Sequence, residues 1–406
     1  MNEPESEPGC SGAGAGAGSF TGSVPTERRY EAQGSQEEVE VEVAVALAVV
    51  VVDPDHLFPS PAALARANMR SLSPPGGIMK AVLLSGFGGV DVLHLGDVER
   101  PRPAEGQVLV KVVATSVNRP DLVQREGKYP PPPGDSEILG LEVAGTVVEC
   151  GQGVTGWQPG ERVMSLVGGG GYAEYAVAHA GHLMRIPETM SFDEAACVCE
   201  SYITAFLNLF LVGGLKDGNT AVIHGGGGGV NTAGIQLCKA LVPRTRLVVT
   251  AHPSKLERVR KLGADLVVDY TTTPDFSEAV KELTGKKGAD VILDHVGAKY
   301  LQANMNALGY AGRLVVIGVT SGIKAELNLA LMMVKRQQII GSVLRSRPVK
   351  DKGEIVAEFT RTALPRFADR TVTPIIEKVF PIDEVVEAHR MMEEDRHFGK
   401  IVLRVS

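Results

Sequence analysis

A glycine-rich turn is the stretch of this sequence whose residue types most directly suggest chemistry. Five consecutive glycines, 225–229, follow the apolar run 220–223 and precede apolar residues at helical spacing as far as Leu241. Glycine lets a backbone turn sharply and approach a bound group, and a helix that begins there offers unpaired N–H groups to an anion. The order strand, glycine turn, helix predicts a site for the pyrophosphate of a dinucleotide. A flexible linker, the alternative for a glycine run, explains neither flanking pattern.

One position of this turn departs from the usual pattern. Dinucleotide-binding turns carry a third glycine where this chain has Asn231, and that glycine normally allows close packing of the helix on the strand. Asparagine adds a side chain there, although it is also a good residue for capping a helix start. We expect the cofactor to contact Gly226, Gly228, Gly229 and Val230.

The residues after the next predicted strand indicate which cofactor binds. An NAD site places Asp or Glu about 20 residues beyond the glycines, on the ribose 2′-hydroxyl. That position falls near Ala251, where the sequence has no acid, and Lys255, Arg258 and Arg260 follow. A 2′-phosphate requires positive charge and would be repelled by a carboxylate. We therefore expect NADPH, with Lys255 on the phosphate and Tyr270 beside it; the two arginines are equally explained as a solvated helix face.

Strands and helices alternate around the glycine turn. The predicted strands are 220–223, 247–251, 266–269, 291–294 and 314–317, and the predicted helices between them are 230–241, 255–262, 276–284 and 300–308. This alternation is typical of a doubly wound parallel sheet.

The part of the chain that begins at Met79 has a different pattern. Short predicted strands at 80–84, 107–115, 143–150, 162–166 and 172–177 are separated by Gly- and Pro-rich turns. A short helix over 118–127 leads to Tyr129 and four prolines. This pattern predicts a small, partly closed β-barrel-like domain.

Several separate blocks of the sequence resemble the medium-chain dehydrogenase/reductases. They read EGQVLVKVVATSVNRPDLVQREGKYPPPPG, ILGLEVAGTVVECG, PGERVMSL, GGGGYAEYAV and, at 344–347, LRSR. Within that family they are most similar to the zinc-free quinone oxidoreductases, the zeta-crystallin-like and stress-inducible group. The resemblance extends from Met79 to the C-terminus. It implies an α/β fold with a Rossmann NADP-binding domain over 200–344 and a GroES-like catalytic domain formed by 79–199 and 345–406.

The resemblance also implies further cofactor contacts. Thr204 would face the nicotinamide, Gly318 and Val319 would contact the nicotinamide end, and Arg345 and Lys400 would reach the cofactor. A hydroxyl bonded to its own helix backbone is the alternative for Thr204. Ordinary charges at the edge of a cleft are the alternative for Arg345 and Lys400.

Zinc ligands are missing where the zinc alcohol dehydrogenases carry them. A catalytic zinc needs about three protein ligands, usually Cys and His. The stretches that match the cysteine and the Gly-His-Glu segment read VNRPD, 117–121, and GLE, 140–142, and contain neither the Cys nor the His. We therefore expect no metal. Asn118 and Tyr129 are candidates for lining the substrate pocket, as is Asp121, with capping of a helix start as the alternative for Asn118 and Asp121.

The charge distribution argues against binding to duplex nucleic acid. The chain carries a net charge of −7, and residues 1–78 hold eleven acids and four bases, which leaves the remainder neutral. A neutral folded region lacks the basic footprint of a nucleic-acid-binding domain. The five cysteines have no framework spacing, which favours a reducing compartment.

The N-terminal extension, residues 1–78, is predicted to be disordered. It is rich in Gly, Ala, Pro and Glu, and its apolar run 43–52 is about half the roughly 20 residues that a membrane span needs. We expect a cytoplasmic protein. Translation from Met79 is an alternative, and an internal start such as Met69 leaves mitochondrial targeting open.

The leading functional hypothesis is an NADPH-dependent quinone reductase that works by direct hydride transfer without a metal. One alternative is reduction of an activated alkene, an enal or enoyl thioester, with Tyr129 as proton donor. Another is a non-catalytic cofactor-binding protein in which Asn231 weakens turnover. The resemblance implies a homodimer, with pairing of strand edges near 338–344.

Overall fold

The computed structural model of the chain describes residues 77–406, so the predicted disordered extension lies outside the described residues except for its last two positions. The strands are β1 (Ile78–Leu84), β2 (Leu93–Glu99), β3 (Gln107–Val117), β4 (Glu142–Cys150), β5 (Arg162–Leu166), β6 (Tyr175–His179), β7 (Leu183–Arg185), β8 (Thr220–Ile223), β9 (Arg246–Ala251), β10 (Leu266–Asp269), β11 (Ala289–Asp294), β12 (Leu308–Val316), β13 (Gln338–Gly341), β14 (Ile376–Pro381) and β15 (Lys400–Arg404).

The α-helices lie between these strands and cover their faces. They are α1 (Arg119–Arg125), α2 (Phe192–Ala195), α3 (Cys199–Phe206), α4 (Gly229–Leu241), α5 (Leu256–Lys261), α6 (Ser277–Leu283), α7 (Leu301–Ala307), α8 (Leu329–Lys335), α9 (Val349–Thr362), α10 (Pro365–Ala368) and α11 (Val385–Glu393). Among the described residues, no helix is long and apolar enough to cross a bilayer.

A mostly antiparallel sheet, in which only β14 and β15 pair in parallel, is built from both ends of the described chain. Its order is β14-β15-β3-β4-β5-β7, and β6 also pairs with β3. β15 runs antiparallel to β3 with Ile401 opposite Val117, and β3 runs antiparallel to β4 with Thr115 opposite Val143. The start of β15, the end of β3 and the start of β4 are therefore side by side at one end of the sheet.

A parallel sheet forms the other half of the structure. Its order is β10-β9-β8-β11-β12-β13, and every pairing in it is parallel. The chain builds outward from β8 to β9 and β10, then returns to place β11 on the other side of β8. Ligands of such sheets bind at the carboxyl ends of the strands where this reversal occurs, which is between β8 and β11. The predicted α/β fold class is confirmed, while the predicted domain boundaries stay predictions.

Helix α3 joins the two sheets through a shared hydrophobic core. Its Tyr202 packs edge-on against Phe367 of α10, and its Phe206 packs edge-on against Phe359 of α9. All four rings are buried, and burial of an aromatic side chain contributes about 1.5–3 kcal/mol. This packing fixes the first turn of α3, which carries polar residues toward the candidate site.

Several predicted element boundaries differ from the structure. The strand predicted over 172–177 begins at Tyr175. Residues 349–368 form two helices, α9 and α10, and Pro365 stands at the start of the second, where a residue without an N–H is tolerated. Helix α3 is followed directly by a π-helix over Leu207–Val212.

Candidate active site

The glycine turn lies at the carboxyl end of β8 and leads directly into α4. Gly225 has φ of +69°, a left-handed conformation that favours glycine. A methyl group at Gly226 would lie 2.5 Å from Val249 Cγ1. At Gly229 it would lie 2.7 Å from Lys400 Cδ. Each glycine therefore lets the backbone approach its neighbours as a phosphate-binding turn requires.

Asn231 is accommodated because its side chain folds back onto the turn. It is 6% exposed, and its Nδ2 donates a hydrogen bond to the carbonyl oxygen of His224. Close packing of α4 on the sheet occurs instead at Gly234, where a methyl group would lie 3.1 Å from both Ile223 Cδ1 and Leu209 Cδ1. The close packing of α4 on its neighbours is therefore kept at Gly234, and the Asn231 side chain stabilises the turn through its hydrogen bond to His224.

The turn rests on a buried polar network. His224 lies between Thr250 Oγ1, at 3.1 Å, and Asn304 Oδ1, at 2.8 Å, and Asn304 Nδ2 donates to Asp294 at 3.0 Å. Burial lowers the pKa of His224 to about 3 and raises the pKa of Asp294 to about 6. A neutral imidazole therefore positions the turn at neutral pH.

The site geometry fits a dinucleotide cofactor. The α4 N-terminus and the glycine backbone form a cradle that Cβ atoms would fill. Among the described residues, the buried hydroxyl oxygens of Ser201, Thr204 and Ser342 have no hydrogen-bond partner. Of these, Ser201 Oγ is 2.9 Å from where a methyl group at Gly229 would lie. Buried hydroxyls usually have partners, so the Ser201 hydroxyl fits a polar group bound at this cradle. Val230 is half-buried between the two cores.

Lys255 lies over the glycine turn rather than in solvent. Its Cδ is 2.3 Å, and its Nζ 3.3 Å, from the position of a methyl group at Gly227. It is half-buried. Burial lowers its pKa, and nearby charges, led by Asp395, shift it less. Asp395 pairs with Arg119 and Glu377 with Arg258. Within residues 77–406, no carboxylate forms an ion pair with Lys255, which leaves its ammonium available to an anion.

The surroundings of Lys255 contain further polar groups. β9 ends at Ala251, and His252 follows, with its Nδ1 accepting from the N–H of Ser254. The ring of Tyr270 lies 6.2 Å from that of His252. The structure thus brings Tyr270 and Lys255 to the same edge of the sheet, with His252 where an NAD site would carry an acid.

His295 follows β11 at the strand-order reversal. Its Cε1 lies 2.5 Å from the position of a methyl group at Gly225, and burial lowers its pKa to about 4. A methyl group at Gly318 would lie 3.0 Å from the carbonyl oxygen of His295, and Val319 packs against Gly297. Gly318 and Val319 therefore lie at the carboxyl ends of β11 and β12, beside the glycine turn.

A buried ion pair lies where β15, β3 and β4 meet. Lys400 Nζ donates to Glu142 Oε1 at 3.0 Å and to Asn118 Oδ1 at 2.5 Å, and Asn118 Nδ2 donates to Glu142 Oε1 at 3.0 Å. The side chains of Lys400 and Glu142 are 3% and 0% exposed. Ser116 Oγ also donates to this carboxylate. Asn118 and Lys400 thus belong to one network, beside the first residue of α4.

Arg345 holds two loops together below Tyr129. Its guanidinium donates to the carbonyl oxygens of Gly168 and Tyr129 and to Gln124 Oε1, and its Cζ lies 5.1 Å from the centre of the Tyr129 ring. Burial and the charge of Glu200 raise the pKa of Tyr129 to about 12. The structure brings Arg345 to the Tyr129 side of the cleft, with its hydrogen bonds directed to protein groups.

Asp121 is fully buried in the first turn of α1. Its carboxylate accepts from the N–H groups of Asn118 and Gly140 and from the Tyr172 hydroxyl, and burial raises its pKa to about 6. Tyr172 in turn contacts His389 at 3.2 Å. Asp121 therefore caps the start of α1 and supports the turn that presents Asn118.

Glu200 is a partly buried carboxyl that sequence reasoning missed. It lies in the first turn of α3, its N–H donates to Glu142 Oε2 at 2.9 Å, and burial raises its pKa to about 8. An acid in the first turn of a helix is usually explained by the helix dipole, so its position carries no separate signal of a catalytic role. Glu142 was missed as well, although it follows Leu141, the position of the absent zinc-ligand histidine.

Side chains that commonly bind metal ions do not cluster in the described part of the chain. Across residues 77–406, no group of three or more His, Cys, Asp or Glu side chains could hold a metal ion. The cysteines Cys150, Cys197, Cys199 and Cys238 are free thiols.

Two family models match the chain. One, described as zinc-binding dehydrogenase, matches residues 229–361, and the other, described as alcohol dehydrogenase GroES-like domain, matches residues 104–188. They fall on the parallel sheet and on the antiparallel sheet, respectively.

Known proteins similar to this chain cover most of its length. The human synaptic vesicle membrane protein VAT-1 homolog is 31% identical over 343 residues, which are 80% of this chain and 86% of that protein. The quinone oxidoreductase of Lama guanicoe is 31% identical over 330 residues, 80% of this chain and 97% of that protein.

Solved structures agree with the fold. An NAD-dependent alcohol dehydrogenase superimposes with a TM-score of 0.71 at 31% identity, over 81% of this chain and 100% of that one. Mycobacterial Rv1454c complexed with NADPH superimposes with a TM-score of 0.71 at 27% identity, over 80% of this chain and 100% of that one. The chain therefore belongs to the medium-chain dehydrogenase/reductase family of oxidoreductases and is quinone oxidoreductase-like.

Proposed function

We propose that this protein is an NADPH-dependent quinone reductase that works without a metal. The observation that carries the proposal is the unpaired, half-buried ammonium of Lys255 over the glycine turn, at the end of a β9 strand that no acid follows. A cation in that place favours a 2′-phosphate, and the missing acid removes the group that would select a free 2′-hydroxyl.

The residues of the cleft divide into three roles in this proposal. The backbone of Gly226, Gly228, Gly229 and Val230, at the N-terminus of α4, holds the pyrophosphate. Lys255 and Tyr270 take the 2′-phosphate. Thr204, Gly318 and Val319 contact the nicotinamide end, with Lys400 and Arg345 at the edge of the site.

The acceptor binds between the two sheets, against Asn118 and Tyr129. When bound, the nicotinamide supplies a hydride, and the protein contributes positioning and exclusion of water. Asn118 is held by Lys400 and Glu142, and Tyr129 by Arg345, so both pocket-lining groups are rigidly supported.

The contact of Lys400 with Asn118 and Glu142 supports chemistry without a metal. These two side chains offer an amide oxygen and a carboxylate, and the Lys400 ammonium already occupies them both. The Lys400 ammonium therefore occupies the two side-chain oxygens that could otherwise bind a metal cation from solution. Metal analysis of the purified protein tests this part of the proposal.

The similar proteins support the reaction class. The relative from Lama guanicoe is named a quinone oxidoreductase, and the mycobacterial structure is a complex with NADPH. The similar NAD-dependent alcohol dehydrogenase shows that cofactor choice varies among such folds, so the preference must be measured on this chain.

Purified protein, NADPH and a panel of ortho- and para-quinones provide the test of function. We expect NADPH oxidation that depends on the quinone and is much slower with NADH. Absence of NADPH oxidation with every quinone contradicts the proposal. Tight NADPH binding without turnover would instead favour a non-catalytic cofactor-binding protein.

Reduction of an activated alkene is the second candidate. The phenol of Tyr129 at the cleft favours it, because alkene reduction needs a proton donor as well as a hydride. If the candidate is correct, Tyr129→Phe removes enal reduction and leaves quinone turnover intact. Equal loss of both activities would indicate that Tyr129 only shapes the pocket.

We also propose a homodimer that forms through β13. This strand lies at the edge of the parallel sheet, so its outer backbone groups are free to pair with a second copy. Exposed apolar side chains flank it, namely Tyr310, Leu329, Met333, Val334 and Ile339. The cytoplasmic location stays a prediction, which imaging of the tagged chain in cells tests.

A further inference from the structure

We propose that Glu200 is the proton donor of the reaction, delivering its carboxyl proton to the acceptor after the hydride has arrived. This assignment rests on the proposed reductase function and deepens it. It differs from the alternative in which Tyr129 donates the proton.

The position of Glu200 connects the cofactor cradle to the acceptor pocket. Its N–H is fixed to Glu142 Oε2, in the network that also holds Asn118. The next residue, Ser201, places its Oγ 2.9 Å from where a methyl group at Gly229 would lie, at the first residue of α4. Glu200 therefore lies at the junction of the two, on a helix that the aromatic core keeps rigid.

The carboxyl of Glu200 has no partner, although cations are near it. In the part of the chain that the structure describes, no group forms a hydrogen bond or an ion pair with this carboxyl. The cations are committed elsewhere: Lys400 Nζ to Glu142, the Arg345 guanidinium to Gly168 and Gln124, and Lys352 Nζ to the Arg345 carbonyl oxygen at 3.1 Å. Without a counterion or donor from the described residues, the ionised carboxyl is stabilised by water alone, which favours the protonated form.

The surroundings of Glu200 raise its pKa on balance. Burial, Glu142 and Asp121 raise it, Lys400 and Arg345 lower it, and the net result is a pKa of about 8. The other titratable groups that sense its charge are Tyr129, Cys199 and Lys352. At neutral pH most of the carboxyl is therefore protonated and able to donate.

Tyr129 is the weaker acid of the two. Its pKa is raised to about 12 by burial and by Glu200 itself. General-acid catalysis is most effective when the pKa of the donor lies near the working pH. A carboxyl that titrates near neutrality thus suits proton delivery better than a phenol that stays protonated far above it.

The proton balance of the proposed step is simple. Reduction of a quinone by one hydride gives the hydroquinone monoanion, and the O–H bond of Glu200 breaks as its proton joins the anionic oxygen. The two-electron oxidation of NADPH to NADP⁺ supplies the hydride. The resulting Glu200 carboxylate is partly exposed, so water reprotonates it before the next turnover.

The first test compares Glu200→Gln with the wild-type protein in NADPH-dependent quinone reduction. We expect kcat to fall by about 10²-fold at pH 7, within the range that general-acid catalysis contributes, with the KM for NADPH changed by less than about threefold. The wild-type kcat should also decline as pH rises through about 8, and that decline should be absent in the variant. Glu354→Gln, on the exposed face of α9, is the matched control and should retain wild-type kinetics.

The second test needs neither cofactor nor turnover. Because the folded protein disfavours ionised Glu200, the variant should gain thermal stability relative to wild type as pH rises from 5 to 9, and Glu354→Gln should not. A wild-type kcat and pH profile in Glu200→Gln, or a Tm difference that does not vary with pH, overturns the assignment. Wild-type protein that reduces no acceptor overturns the proposed function and this assignment with it. If Glu200→Gln fails to fold, Glu200→Asp must show the same shift of the pH profile or the assignment falls.

Discussion

At the scale of single residues, the site depends on charges whose partners differ sharply. Lys400 is buried with Glu142 as its counterion, whereas Lys255 lies over the glycine turn without one. A buried pair contributes mainly when it is kept intact, because removal of one member leaves an uncompensated charge. A half-buried cation without a partner instead supplies affinity to an incoming anion. The two lysines should therefore respond to mutation in different ways.

Substitution of Lys400 by Met should destabilise the fold. It leaves the Glu142 carboxylate buried without its cation, a change that typically costs about 3–5 kcal/mol. Chemical denaturation measures the free energy of unfolding, with Lys350→Met on the exposed surface as control. A loss below about 1 kcal/mol would show that the pair is not needed for stability.

Substitution of Lys255 by Ala should weaken NADPH binding and leave NADH binding nearly unchanged. A hydrogen bond to a charged group contributes about 1.5–3 kcal/mol, so we expect the Kd for NADPH to rise about 10- to 100-fold. Fluorescence titration measures both cofactors, and Lys261→Ala, on the outer part of α5, is the matched control. Equal weakening of both cofactors would place Lys255 on the pyrophosphate instead.

At the scale of elements, helix propensity and close packing make opposite demands on the first residue of α4. Alanine is a better helix former than glycine, yet the first turn of α4 keeps glycine at position 229, where a methyl group would meet Lys400 and Ser201. Closeness to these neighbours therefore outweighs helix propensity at this position.

Substitution of Gly229 by Ala should consequently harm binding more than stability. The new methyl group displaces the Lys400 stem or the Ser201 hydroxyl, and a shift of either disturbs the α4 N-terminus. We expect NADPH affinity to fall by about tenfold, which is about 1.4 kcal/mol, in a calorimetric titration. Gly86→Ala, which meets no atom within 4 Å, serves as control. Unchanged affinity in Gly229→Ala would contradict the assigned cradle.

The elements near the turn could be predicted from the sequence because their signals are local. β10 was predicted with its observed bounds, and the strand, turn and helix around Gly228 were placed correctly. Helix α8 and strand β2 were missed: α8 buries none of its residues, and β2 pairs only with β1, so neither has a strong apolar period.

The site itself was only partly predictable for a physical reason. Asn118, Glu142 and Lys400 are far apart in the sequence and meet through the antiparallel pairing of β15 with β3 and of β3 with β4. No local pattern encodes such a contact. Asn118 and Lys400 were singled out by resemblance, whereas Glu142 and Glu200 resembled ordinary helix-start and strand acids.

At the scale of the whole molecule, the two sheets share helix α3, and one edge of the parallel sheet remains uncovered. The apolar side chains beside β13 are exposed, and a strand edge of this kind favours pairing with another chain. A second copy related by a twofold axis would cover both edges at once.

Substitution of Ile339 by Lys should therefore convert a dimer to a monomer. Ile339 lies on β13 and is 38% exposed, and two lysines across a twofold axis would repel each other at the joined edge. Sedimentation measures the mass. Ile78→Lys, an exposed residue at the start of β1, is the matched control and should stay dimeric. A monomeric wild-type protein would contradict the proposed interface.

Calorimetric titration of the wild-type protein with NADPH and with NADH tests the central claim most directly. An unpaired Lys255 beside a strand end without an acid predicts that NADPH binds at least about tenfold more tightly than NADH. This ratio is the one expected for a single charged contact. Tighter binding of NADH, or no binding of NADPH, would contradict it.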